Sequence, residues 1–97
     1  MSSCRLMGKI IRVDGDCAAG HFVGEEFDLT LFSEETKRAH RTHRAPNICS
    51  FLYDIIFPYI LTLQFGGSFP WSSSKDEIEV GCPDNYKVVI KIRRIRE

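Results

Sequence analysis

The side chains best suited to chemistry are Cys17, His21, Cys49 and Cys82. Thiolates joined by one imidazole form a donor set that holds zinc or an iron–sulfur cluster. Cys17 and His21 are a local pair, but the chain has no C-x-x-C, so the four could meet only where the ends of separate elements converge. The same residues have a plainer reading. Free cysteine packs as a small apolar residue and is among the most buried types, and Cys82 alternates with Ile78 and Val80 as a core residue does. A shared metal or redox site and a set of packed thiols therefore stand side by side. A third reading is an activated thiol. Cys17 lies near His21, and Cys49 falls in the first turn of an expected helix; both surroundings favour a thiolate. No acid or amide is identifiable as the third member of a catalytic set, so a binding role is preferred over an enzymatic one.

Two further clusters qualify. His40 and His43, three apart in the basic run from Lys37 to Arg44, would share one face of a helix and could ligate a metal. With Lys37, Arg38, Arg41 and Arg44 they could also meet phosphate or an acidic partner. The run lacks the interleaved aromatics that stack bases, and a solvated surface accounts for it. Tyr53, Tyr59, Phe65, Phe69 and Trp71 gather around the end of the main apolar stretch, with Pro70 stiffening the chain before Trp71. Such aromatics cover a core or fill a dimer contact; Tyr59, Phe69 and Trp71 could alternatively line a small-molecule pocket between loop and sheet. Gly66-Gly67 stands alone and ends a helix, which is not a phosphate-binding loop.

Those residues need elements to hold them. Cys4 to Val13 is rich in Leu, Met, Ile and Val, lacks proline and stops at Asp14-Gly15-Asp16, which predicts a strand and a turn. Cys17 to Gly24 reads as a loop. From Glu25 to Phe32, Phe27, Leu29 and Leu31 alternate with Glu26, Asp28 and Thr30, the period of a half-buried strand. Ser33 to Ala45 is polar throughout; Ser33 could cap a short helix begun by Glu34-Glu35, or the segment could be a loop. Asn47 to Phe65 carries Leu52, Ile55, Ile56, Tyr59, Ile60 and Leu63 on one broad face, with Asn47 as the expected cap and Gly66-Gly67 as the stop. Pro58 removes one helical hydrogen bond and should kink this helix or split it. Asp54 and Gln64 are expected near solvent. Glu77 to Cys82 and Lys87 to Ile95 alternate again around Pro83-Asp84-Asn85 and should pair as a hairpin. The sum is α+β, ββ-helix-ββ: a mostly antiparallel four-stranded sheet packed on one long Pro-kinked helix.

A chain of 97 residues, 43% apolar and 27% charged, suits a single domain spanning 1–97 with one core. Phe51 to Phe65 is too short and too polar to span a bilayer, and Met1 to Leu6 runs into a strand pattern with no signal-peptide hydrophobic region. A soluble, cytoplasmic protein with no membrane partner is expected, its cysteines, Cys4 included, kept as thiols. Thirteen basic residues against thirteen acidic ones argue against a dedicated nucleic-acid binder. The charges are segregated: acidic from Asp14 to Glu35, basic from Lys37 to Arg44 and from Lys87 onward. Two copies could pair these patches across a two-fold axis with Trp71 in the contact, so a homodimer is expected.

Four motifs occur in order. Cys17-Ala18-Ala19-Gly20-His21 and Val23-Gly24-Glu25-Glu26-Phe27 make C-x-x-G-H-x-x-G-x-x-F; Phe57-Pro58-Tyr59-Ile60-Leu61 leads to Phe65-Gly66-Gly67-Ser68-Phe69-Pro70-Trp71; then come Gly81-Cys82-Pro83-Asp84 and Val88 to Ile95. Together they resemble a family of small uncharacterised bacterial and archaeal proteins of about this length, over nearly the whole chain, with Cys49 matching a cysteine before the long helix. Cys4 has no counterpart there, and Lys37 to Pro46 is longer and more basic than the family's linker. The resemblance implies a fold and a cysteine pattern, and no reaction. The functional expectation is a small soluble protein that binds a metal ion (zinc) or an iron–sulfur cluster, or acts as a thiol redox protein, through Cys17, His21, Cys49 and Cys82. The alternative is a non-catalytic self-associating interaction module whose cysteines belong to the core.

Overall fold

The computed structural model describes residues 4–15, 17, 19–33, 38–39, 47–82 and 87–96. In chain order the elements are β1 (Cys4–Val13), β2 (Glu26–Asp28), β3 (Phe32–Ser33), β4 (Arg38–Ala39), α1 (Ser50–Gln64), β5 (Glu77–Gly81) and β6 (Val88–Arg96). Four strands form one antiparallel sheet in the order β2-β1-β6-β5, and β3 pairs with β4 separately. The helix covers one side of the sheet, touching β1, β5 and β6. This is the α+β class.

The sheet follows from its alternation. In β1, Leu6, Gly8 and Ile10 face the helix, and Leu6 and Ile10 are fully buried. The register with β6 slips between Ile10 and Arg12. Such a bulge shifts the phase by one residue, which is why Val13 also packs on the core. Gly8 is needed at the middle of the sheet: a Cβ there would sit 2.7 Å from Leu29 Cδ1 and 2.9 Å from Ile90 Cδ1. In β6, Val88, Ile90 and Ile92 are buried, and Ile78 and Val80 of β5 meet them across the expected hairpin. The tip of that hairpin, with Pro83-Asp84-Asn85, lies outside the described residues. The basic strand β6 is interior to the sheet, so only alternate members of its basic run reach the surface.

The helix buries Leu52, Ile56, Ile60, Leu63 and Gln64. It ends in a Schellman arrangement: Gly66 takes φ 93°, the Gly67 N–H donates to Thr62 O at 2.8 Å and the Gly66 N–H to Leu63 O at 3.4 Å. α1 runs as one element through Pro58, so the expected split does not occur. The missing N–H costs the Asp54 carbonyl its donor, and both residues are exposed, so that carbonyl is open to solvent rather than buried without a partner.

Several expectations are corrected. The helix begins three residues later than expected, with Cys49 at the N-cap and no capping side chain; Asn47, at φ 68°, instead turns the chain into it. Gln64 is buried, not near solvent, because its Oε1 accepts the Leu31 N–H at 2.7 Å. The second strand is regular only over Glu26–Asp28. Beyond it Thr30, expected on the wet face, is buried with Oγ1 accepting the Leu6 N–H at 3.0 Å. Ser33 enters the short β3–β4 pair rather than a helix, so two extra strands precede α1. His40, His43 and most of the basic run lie outside the described residues. Among the described residues no helix is long and apolar enough to cross a membrane.

Candidate functional site: the two ends of the helix

His21 leaves its loop inward and is buried edge-on against Phe27, ring centroids 5.6 Å apart and planes at 88°. The Cys49 N–H, at the start of α1, donates to His21 Nε2 at 3.0 Å. A nitrogen that accepts carries no proton, so the ring proton sits on Nδ1, which donates to Glu25 Oε1 at 2.8 Å. Both ring nitrogens are engaged, Nε2 on the helix start and Nδ1 on Glu25. A metal at Nε2 would have to displace the Cys49 amide.

Cys17, Cys49 and Cys82 carry free thiols. Cys82 belongs to the buried core, and Cys17 and Cys49 each pack half-buried against it. Cys82 Sγ accepts the Val88 N–H at 3.4 Å, while the Cys82 N–H donates to Val88 O at 2.8 Å, closing the wide end of the hairpin. Among the described residues no three His, Cys, Asp or Glu side chains converge as metal ligands do.

The residue that sequence reasoning missed is Arg94. It follows Val88, Ile90 and Ile92 on the inward side of β6 and is only 7% exposed. Its guanidinium donates from Nη1 to Leu63 O at 2.8 Å and Gly67 O at 3.0 Å, from Nη2 to Lys75 O at 2.8 Å, and from Nε to Asp76 Oδ1 at 3.0 Å. Nη2 also pairs with Asp76 Oδ1 at 2.9 Å. One side chain thus holds the helix end and the loop after it, and its charge faces the negative end of the helix dipole. The signal was present as period two: Arg94 continues the parity of three core residues.

The four buried polar residues among those described share one habit. His21, Thr30, Gln64 and Arg94 each satisfy backbone groups of another segment. Buried backbone groups must find partners, and these side chains are those partners.

Two surfaces remain. On the open side of the sheet, the registers set Glu26, Lys9, Lys91 and Glu79 in one row and Asp28, Met7, Arg93 and Glu77 in the next. Acids flank bases, and the pairs that form are long, from Lys91–Glu77 and Lys91–Glu79 at 3.8 Å to Arg93–Glu77 at 4.0 Å. Exposed pairs of that kind contribute little; the face is a solvated one, with a hollow of about 330 Å³. The other surface is apolar. Phe51, Ile55, Phe57, Leu61 and Phe65 are exposed along the outer side of α1. Beside them Tyr59, Phe69 and Trp71 form a ladder, with centroids 5.4 and 5.3 Å apart, that runs from half-buried to exposed. Trp71 borders a cleft of about 280 Å³ with Ser72, Ser73, Glu77, Ile78 and Glu79, below the roughly 300–1,000 Å³ of small-molecule sites. Tyr59 and Phe69 do not line it.

Compared with protein-family models, curated proteins and solved structures, the chain has no match.

Proposed function

We propose that this protein is a non-catalytic interaction module whose working surface is the outer side of α1. One observation carries the reading: α1 has a single charged residue, Asp54, and is apolar on the side facing solvent as well as on the side facing the sheet. A helix apolar all round belongs in a buried setting, and the sheet buries one side of it. The polar side chains that a catalytic site would use are consumed by backbone groups, which supports a binding role. Pro58, at the middle of the outer side, bends the helix there, since its ring crowds the preceding turn.

The experiment is dye binding to dilute native protein. 1-Anilinonaphthalene-8-sulfonate should fluoresce on the folded chain, and Phe51→Glu should remove most of the signal without loss of helix by circular dichroism. A native chain that neither binds dye nor associates would overturn the reading.

The metal or iron–sulfur reading asks more of the protein. His21 Nε2 would have to release the Cys49 amide, whereas Cys82 Sγ could keep the Val88 N–H, as metal-bound thiolates do. Metal analysis and a visible spectrum after anaerobic purification check it: substoichiometric metal and no charge-transfer bands are expected. One tightly held ion or cluster per chain, lost in Cys82→Ser, would favour the rival.

A further inference from the structure

Phe57 apart, the apolar stripe on α1 has the same spacing in both directions. Phe51, Ile55, Pro58, Leu61 and Phe65 are spaced four, three, three and four, so Phe51 and Phe65 lie seven residues either side of Pro58, and Ile55 and Leu61 three either side. At 3.6 residues per turn, Phe51, Pro58 and Phe65 run nearly in line along the helix, with Ile55 and Leu61 set to opposite flanks. Phe51 is 76% exposed, Phe65 55%, Ile55 42% and Leu61 40%.

We infer that the partner of this surface is a second copy of the chain, docked antiparallel about a two-fold axis at Pro58. This rests on the interaction-module reading above and names its partner. An isologous contact requires a surface that matches itself after a half-turn, and a palindromic stripe does. The half-turn sets Phe51 of one copy level with Phe65 of the other and Ile55 level with Leu61. Pro58, short and flat, falls at the crossing point, where helices must approach to about 8–10 Å. The one charge on the helix agrees: Asp54 comes level with Thr62 of the other copy, whereas a parallel pair would set Asp54 beside Asp54. The area is sufficient. The stripe exposes roughly 500 Å² of side chain per copy, so the pair would bury about the 1,000 Å² that a specific interface needs. Trp71, 69% exposed on its ladder beside the helix, flanks the contact rather than centring it. The open face of the sheet, with its rows of acids and bases, stays in water.

Light scattering on the full chain from micromolar to near-millimolar concentration, with reductant present, tests this. A concentration-dependent rise to the dimer mass is expected. Phe51→Glu and Phe65→Lys should each weaken the dimer about 30-fold or more, as loss of a central aromatic contact does. Because both residues are largely exposed, each variant should keep its circular dichroism and, at dilutions where the wild type is monomeric, its melting temperature. Combining F51E with F65K in one chain sets Glu level with Lys twice over in the antiparallel register, and should recover the dimer, with an affinity that falls as salt rises. A wild-type mass that stays monomeric overturns the inference. So does a dimer indifferent to both single variants, and so does a double variant no more dimeric than the singles. Dye binding separates the failures: a monomer that binds the dye at Phe51 keeps the interaction module and loses the second copy, whereas a monomer that binds none loses both.

Discussion

The two ends of α1 are held by opposite means. At the start, the N-cap Cys49 offers no side-chain bond and the first turn holds no acid, so one imidazole nitrogen takes a single amide at 3.0 Å. At the finish, Gly66 and Gly67 fold the last turn closed, and a guanidinium from the central strand gathers three carbonyls and a carboxylate. The difference follows from what each end exposes. A helix start presents N–H donors, which one acceptor on a loop can meet; a helix end presents carbonyls, which suit a cation with several donors. The stronger tie also comes from the stiffer support. His21 stands on a loop, while Arg94 stands on a strand paired on both sides. The C-terminal end of α1 is therefore the anchor, and the N-terminal end is the one expected to loosen first.

Breaking the anchor should cost most. Arg94→Met leaves Asp76 and three carbonyls without their cation, and a loss of about 3–5 kcal/mol is expected, as for a buried pair with one partner removed. Urea unfolding of dilute protein, where association does not contribute, measures it. A loss below about 1 kcal/mol would reduce Arg94 to the rank of a surface pair. Arg94→Lys keeps the charge but not the fork, and should fall between the two.

The middle of the helix supplies the scale. Ile56→Ala, at a fully buried position, should cost about 2–5 kcal/mol in the same assay. A value under one would mean that the core does not hold α1 at all, and that the two ends carry it.

The N-terminal tie should rank below both. His21→Leu leaves the Cys49 amide without its acceptor, for about 1–3 kcal/mol. His21→Gln should lose less, since an amide oxygen can accept the same bond. Hydrogen exchange sharpens the contrast: the Cys49 amide should speed up in His21→Leu while the amides of the last turn stay protected. Equal acceleration at both ends would show that the helix opens as one unit and would remove the distinction.

The smallest effect belongs to the glycine stop. Gly66→Ala meets no neighbouring atom, so its cost is the left-handed backbone alone, about 1–2 kcal/mol. A fall in melting temperature of several degrees is the expected reading. No change would mean that Arg94 holds the last turn without help from the Schellman bonds.

Much of the fold is legible in the residues themselves. The first strand falls on Cys4–Val13 as its composition predicts, and the terminal hairpin and the glycine stop also stand where the pattern sets them. Hydrophobic period and turn chemistry are local properties, so local reading finds them. What local reading ranked wrongly were polar residues in apolar company. Thr30 and Gln64 are expected on the solvent side and Arg94 falls in the basic stretch of the last strand, yet each is buried. Their partners lie 18 to 33 residues away, and nothing at such distances is visible in a window of a few turns.

The cysteines mark the same boundary. Composition and spacing could say that thiols and an imidazole exist and that Cys82 follows the parity of the core. They could not say that His21 is spent on the Cys49 amide or that Cys82 sulfur meets Val88. The apolar character of α1, down to its palindrome about Pro58, was written in the chain from the start. The side that the sheet covers was legible as the broad face of Leu52, Ile56, Ile60 and Leu63; only the tertiary structure decided that Ile55, read as part of that face, stays exposed beside Phe51 on the outer side. A helix apolar over most of its circumference has its inner face set by periodicity but the edge of that face set by the area that the sheet can bury and by the buried ties at its two ends.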